Sequence, residues 1–170
     1  VNADYIWMLR CMYEDAISYQ APAYLIEGTQ RNEIGLISCL KCSGQYHLAG
    51  HRYGYSVISA SNASMCSATE YLCGYHPWNG PEFHISYLIY WGNAGKLIHA
   101  SYNLKKVEST SEWMCTTNNT ARSFVVQIAS NYHLITKCFI LEKIAPLGYI
   151  SSTIPIRVRV VDCCFILPHR

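Results

Sequence analysis

The rhythm of apolar positions changes at Pro22. Before it, Ile6, Leu9, Tyr13 and Ile17 recur at three- and four-residue spacing with Met12 and Ala16 beside them, and Asn2 or Asp4 stands where an N-cap would. The spacing predicts one amphipathic helix over residues 4–19, stopped by Pro22. Beyond it, short β-prone runs cover 23–26, 34–38, 53–60, 83–91, 96–104, 123–129, 133–144 and 154–167, parted by Gly, Asn, Ser and Pro. Gly92-Asn93-Ala94-Gly95 tolerates positive φ and predicts an antiparallel hairpin of 83–91 with 96–104, with His84 and His99 as cross-strand neighbours. Ile154, Ile156, Val158 and Val160 alternate with Pro155, Arg157 and Arg159. That strand has one wet side, and Pro155 belongs at its start or on an edge. The polar run 108–122 has no apolar period and predicts a long exposed loop anchored by Trp113, Met114 and Cys115. No repeat or linker divides the chain. The expected fold is a single β-rich domain over 1–170, a mainly antiparallel sandwich or barrel with one N-terminal amphipathic helix.

Composition supports a packed chain and narrows its partners. Apolar and aromatic residues make up 51% of the sequence, which excludes a wholly disordered chain. Charged residues are only 14%, with 14 Tyr to help cover the surface, so the exterior is wet but weakly charged. A formal charge of +2 generates no field of the kind that gathers nucleic acid or anionic lipid. No run reaches the roughly 18 apolar residues of a membrane-spanning helix.

Nine cysteines, an odd number, cannot all pair within one chain. Cys11 and Cys138 lie in apolar runs and read as buried thiols. Cys66 and Cys73 bracket a loop-sized segment that suits a local disulfide, and Cys115, Cys163 and Cys164 are further disulfide candidates. On an extended strand Cys163 and Cys164 point to opposite faces and so serve different partners. Two sequons, Asn62-Ala63-Ser64 and Asn118-Asn119-Thr120, are glycosylation candidates. Together with the cysteines they point to a secreted protein, the alternative being an intracellular assembly subunit.

The most specific local pattern is Cys39-x2-Cys42-x4-His47-x3-His51. Two thiolates around a tight turn at Gly44 and two imidazoles four apart supply a tetrahedral donor set, for which zinc is the natural guest. The segment resembles a retroviral-type zinc knuckle, but Arg52 stands where the closing Cys is expected and His51 takes its place one residue early. The resemblance implies single-stranded nucleic-acid binding, with Leu40, Tyr46 or Leu48 as a base platform and Lys41 and Arg52 on phosphate. No nucleophile elbow, phosphate-binding loop, dinucleotide fingerprint or zinc-protease helix occurs. His76, His84, His99 and His133 have no neighbouring acid in sequence to orient them. The expected function is therefore a non-enzymatic binding or structural module. It acts through a Tyr-rich, weakly charged surface on a protein partner or in self-assembly. The zinc-stabilised nucleic-acid binder is the alternative.

Overall fold

The computed structural model describes residues 2–70, 72–78, 82–142, 148–152 and 157–166. Every regular element among them is a β-strand, and every pairing between strands is parallel. The chain is a β-solenoid: each strand pairs with residues about one coil away in sequence, and three flanks enclose an elongated core.

The coil is set by its corners. Arg10, Leu36, Ala60, Tyr87, Trp113, Lys137 and Asp162 all have φ between 47° and 59°. Five residues after each of the first five comes a second left-handed residue, Asp15, Lys41, Met65, Gly92 and Asn118. Gly92, Asn118, Asp15 and Asp162 are of residue types that tolerate this conformation. The others are held there because the corner backbone pairs with the next coil, as in Arg10 N–H to Gly35 C=O and Lys41 N–H to Ser64 C=O.

Between the paired corners lies a short flank in register: Met12, Ser38, Asn62, Ile89, Cys115, Phe139 and Cys164 stack on successive coils. Before the first corner lies a longer flank, built from Asn2–Leu9, the second half of Tyr24–Gly35 and their counterparts up to Arg157–Val161. After the second corner comes a third, in which Ile17, Ser43, Ser67, Ala94 and Thr120 align. Alternation along each strand turns every second side chain inward. The resulting columns form the core: Ile34, Ile58, Ile85, Ser111 and Ile135 stack one on another and are buried. Each buried aliphatic contributes about 1.5–3 kcal/mol.

This architecture corrects four sequence expectations. Residues 4–19 are not helical; they form Asn2–Leu9, Met12–Glu14 and Ile17–Ser18. Ile6 and Met8 turn inward while Tyr5, Trp7 and Leu9 face out, so the apparent helical spacing was strand alternation broken at Arg10. The sheet is neither an antiparallel sandwich nor a barrel. The hairpin is absent too: Phe83–Trp91 runs parallel to residues of Tyr55–Ser64 and Ala94–Glu112, and Gly92 turns the chain only onto the next flank. His84 accordingly sits beside Val57 and Thr110, and His99 beside Val126. Residues 108–122 are not a loop but strand, corner, Cys115–Thr117, corner and strand. Met114 is buried there, as expected of an anchor. Along 157–161 Arg157 and Arg159 are exposed and Val158 packs inward as predicted, while Pro155 lies outside the described residues.

Candidate contact surface

The short flank and its first corner carry exposed apolar side chains on consecutive coils. Tyr87, Ile89 and Trp91 follow one another outward, with Trp113 beneath Tyr87 and Phe139 two rungs below Ile89. All five are more than 40% exposed. The Tyr87 and Trp113 rings stack with centroids 6.1 Å apart and planes 6° from parallel, and Lys137 Nζ lies 5.2 Å from the Trp113 centroid. Corner backbone and ring stacking together fix these rings before any partner arrives. Their stacked faces cover each other, so what they offer outward is ring edge, with one cation at the margin.

A polar cluster occupies the longer flank. His84 has Nε2 2.7 Å from Glu82 Oε1 and Nδ1 2.8 Å from Thr110 Oγ1. Arg31 pairs with Glu33 at 2.5 Å and lies over the Tyr55 ring at 4.8 Å, which in turn meets His84. The carboxylate, imidazole and hydroxyl resemble a nucleophile relay in order. Both imidazole nitrogens are engaged, one by the carboxylate and one by the hydroxyl. The cluster ties together residues of neighbouring coils. Sequence reading missed Glu82 as the acid that orients His84, although two residues apart on a strand places both on one face.

Inside the second corner runs a ladder of side-chain amides. Cys66 N–H donates to Asn93 Oδ1 at 2.8 Å, Asn93 N–H to Asn119 Oδ1 at 2.8 Å, and Asn119 N–H to Glu142 Oε2 at 2.7 Å. Each amide also donates, Asn93 Nδ2 to Ala63 C=O and Asn119 Nδ2 to Tyr90 C=O and Glu142 Oε1. The left-handed corner interrupts the backbone ladder, and an amide, with one acceptor and two donors, replaces the missing rungs.

No family model, curated protein or solved structure matches the chain. The roles of its residues follow from their surroundings alone.

The predicted metal residues are placed as follows. Cys39 and Cys42 are fully buried and face inward; Cys42 Sγ donates to the carbonyls of Tyr13 and Leu40. His47 and His51 lie on one strand, His47–Arg52, where a four-residue step spans about 13 Å; their side chains lie outside the described residues. Among the described residues no group of three or more His, Cys, Asp or Glu is placed to hold a metal ion.

Of the disulfide candidates, Cys66, Cys115, Cys163 and Cys164 are free thiols, and the side chain of Cys73 lies outside the described residues. Cys163 packs against the core while Cys164 is exposed, the opposite-face arrangement that a strand requires. Cys11 is half-buried and Cys138 buried. Of the sequons, Asn62 is half-buried and accepts a hydrogen bond from Ser38, whereas Asn118 stands exposed at its corner.

Stacking also explains the thiols' chemistry. Cys42 and Cys66 neighbour each other across coils, as do Cys138 and Cys163. Burial pushes the Cys66 thiol up to about 11 and the Cys138 thiol up to about 12. At neutral pH both are protonated and poor nucleophiles. Brief iodoacetamide treatment of the folded protein is therefore expected to alkylate Cys164 and spare Cys66 and Cys138, read by peptide mass spectrometry. Equal labelling of all three would contradict this packing.

Proposed function

We propose that the protein is a non-catalytic contact module, a rigid β-solenoid that engages a protein partner through the strip formed by Tyr87, Ile89, Trp91, Trp113 and Phe139. The observation that carries this reading is the exposure of those five side chains on consecutive coils, with Lys137 over the Trp113 ring. Aromatic side chains concentrate binding energy at interfaces, and rings already held by stacking lose little freedom when covered. The partner's matching surface is apolar, with a carboxylate to meet Lys137. The weakly charged exterior supports the same reading, because covering it desolvates few ions.

The test compares partner capture by the native chain, by Tyr87→Ser/Trp113→Ser, and by Glu82→Gln/His84→Asn on the other flank. All four substituted residues reach the surface, so circular dichroism should show unchanged β-structure. Losing two interfacial aromatics removes about 2–4 kcal/mol, so affinity for any captured partner should fall at least tenfold in the first variant and hold in the second. Equal affinity of the first variant and the native chain would refute the strip as the interface.

A further inference from the structure

The inward column behind the second corner reads Ala16, Cys42, Cys66, Asn93, Asn119 and Glu142 on successive coils. From Cys66 onward, side-chain amides and a carboxylate bridge the coils that the left-handed backbone parts. The rung between Cys42 and Cys66 is filled by two thiols instead. Backbone pairing fixes them opposite each other. Leu40 pairs with Ser64 on one side of the corner and Ser43 with Ser67 on the other, and the Ser67 N–H donates to the Cys42 carbonyl at 2.9 Å. Residues aligned on neighbouring strands lie about 4.8 Å apart, inside the Cα separation of roughly 4.4–6.8 Å that a disulfide spans. Both side chains are buried, and the two sulfurs are within hydrogen-bonding reach of each other.

The thiol protons are expendable. Cys42 Sγ donates to the Leu40 carbonyl and Cys66 Sγ to the Ser64 carbonyl, each at 3.4 Å. Both carbonyls already accept a backbone N–H, from Asp15 and Lys41 respectively, so removing these weak donors strands neither.

We propose that Cys42 and Cys66 are an oxidative modification site, a dithiol that a small hydroperoxide converts to a disulfide locking two neighbouring coils together. A water-sized oxidant suits sulfurs that lie beneath the surface. One sulfur attacks the peroxide: an S–O bond forms, the O–O bond breaks, and the thiol proton leaves with the displaced hydroxide as water. The second sulfur then attacks the resulting sulfenic sulfur: the S–S bond forms, the S–O bond breaks, and its proton leaves with that hydroxide as a second water. Two thiols lose two electrons, and the peroxide gains them. Burial holds the Cys66 thiol at about 11, so the conversion is slow at neutral pH. The bridge continues the amide ladder by one covalent rung and joins residues 24 apart in sequence.

The pair uses no residue of the Tyr87–Trp113 strip, so oxidation and partner capture are tested independently. The folded, fully reduced chain is incubated with hydrogen peroxide at mildly alkaline pH, and the remaining thiols are alkylated under denaturing conditions. Non-reducing peptide mapping should then find the Cys42 and Cys66 peptides joined, lighter by two hydrogens than the separate peptides. In urea the oxidised chain should unfold with an equilibrium constant about a hundredfold smaller than the reduced chain, and dithiothreitol should reverse the gain. Cys42→Ala and Cys66→Ala place in the column a residue type it already holds at Ala16, and each should abolish the peroxide-induced rise in midpoint. The mapping on the native chain stands without either variant. Absence of the joined peptide, Cys66 joined to a different cysteine, a urea midpoint unchanged by oxidation, or a rise that persists in either alanine variant would overturn the proposal.

Discussion

Asn119→Leu should cost about 3–6 kcal/mol, a large share of the 5–15 kcal/mol that holds a typical domain folded. Leucine keeps the branched outline of asparagine without its polar atoms, and its bulkier methyl groups act in the same destabilising direction. Three buried groups lose their partners together: the Asn93 N–H, the Tyr90 carbonyl, and Oε1 of Glu142, which accepts from Asn119 Nδ2 at 2.6 Å. Each buried group left without a partner costs about 1–2 kcal/mol, the lower part of the usual range for such losses. Asn93→Leu strands only two, the Cys66 N–H and the Ala63 carbonyl, and should cost about 2–4 kcal/mol. Urea unfolding of the three proteins tests this, with midpoints expected in the order native, Asn93→Leu, Asn119→Leu. A loss under about 1 kcal/mol for Asn119→Leu would mean that the ladder is decorative.

The ladder also shows why the coil escaped sequence reading. Its second corner is followed by Cys42, Cys66, Asn93 and Asn119 in turn, so neighbouring rungs repeat a residue type for only two coils before changing. Cys42 and Cys66 are 24 residues apart, Asn93 and Asn119 are 26, and Cys138 and Cys163 are 25. These recurrences were the available signal of a repeat. They were obscured because cysteine suggests disulfides and metals before it suggests a small apolar rung. The first corner is less legible still: Arg10, Leu36, Ala60, Tyr87, Trp113, Lys137 and Asp162 share a left-handed backbone and no chemistry.

What was legible is local. Phe83–Trp91 was legible as a strand, and the alternation around Arg157–Val161 also gave a wet side, since side-chain direction along a strand depends only on neighbouring residues. Which strands pair, and in which direction, depends on residues a whole coil away. A Gly-Asn-Ala-Gly segment suits a hairpin and a solenoid corner equally well. Abundant Tyr with sparse charge suggested a Tyr-rich face, whereas the proposed strip carries one Tyr, Tyr87, beside Ile89, Trp91, Trp113 and Phe139. It was not legible in place: of the aromatics, Tyr24 and Tyr90 went to the core while Tyr87 and Trp113 came out, a division set by register.

Two buried histidines should make this fold acid-labile well above the pH at which carboxylates titrate. His99 is fully buried with Nδ1 3.0 Å from the Tyr90 hydroxyl and Nε2 unpartnered. His133 is 1% exposed with Nε2 3.0 Å from Ser111 Oγ and Nδ1 unpartnered. Burial lowers the His99 imidazole to about 4. Burial, then the charge of His99, lowers His133 to about 3. The unfolded chain takes up protons at both sites below its ordinary value of 6.5, and the folded chain does not until those lower values are reached. Stability is therefore full above pH 6.5 and falls as the pH drops from 6.5 toward 4 and 3. At pH 5 each histidine has removed about 2 kcal/mol, about 4 together. In a chain of this size that lowers Tm by about 10–15 °C relative to pH 7. His99→Gln and His133→Gln carry no titrating proton and should each remove about half of that slope, whatever they do to stability at neutral pH. Thermal unfolding followed between pH 5 and 7 decides the matter. A Tm that stays level across that range, or slopes unchanged in both variants, would show that the two imidazoles are not the neutral, dry groups their positions imply.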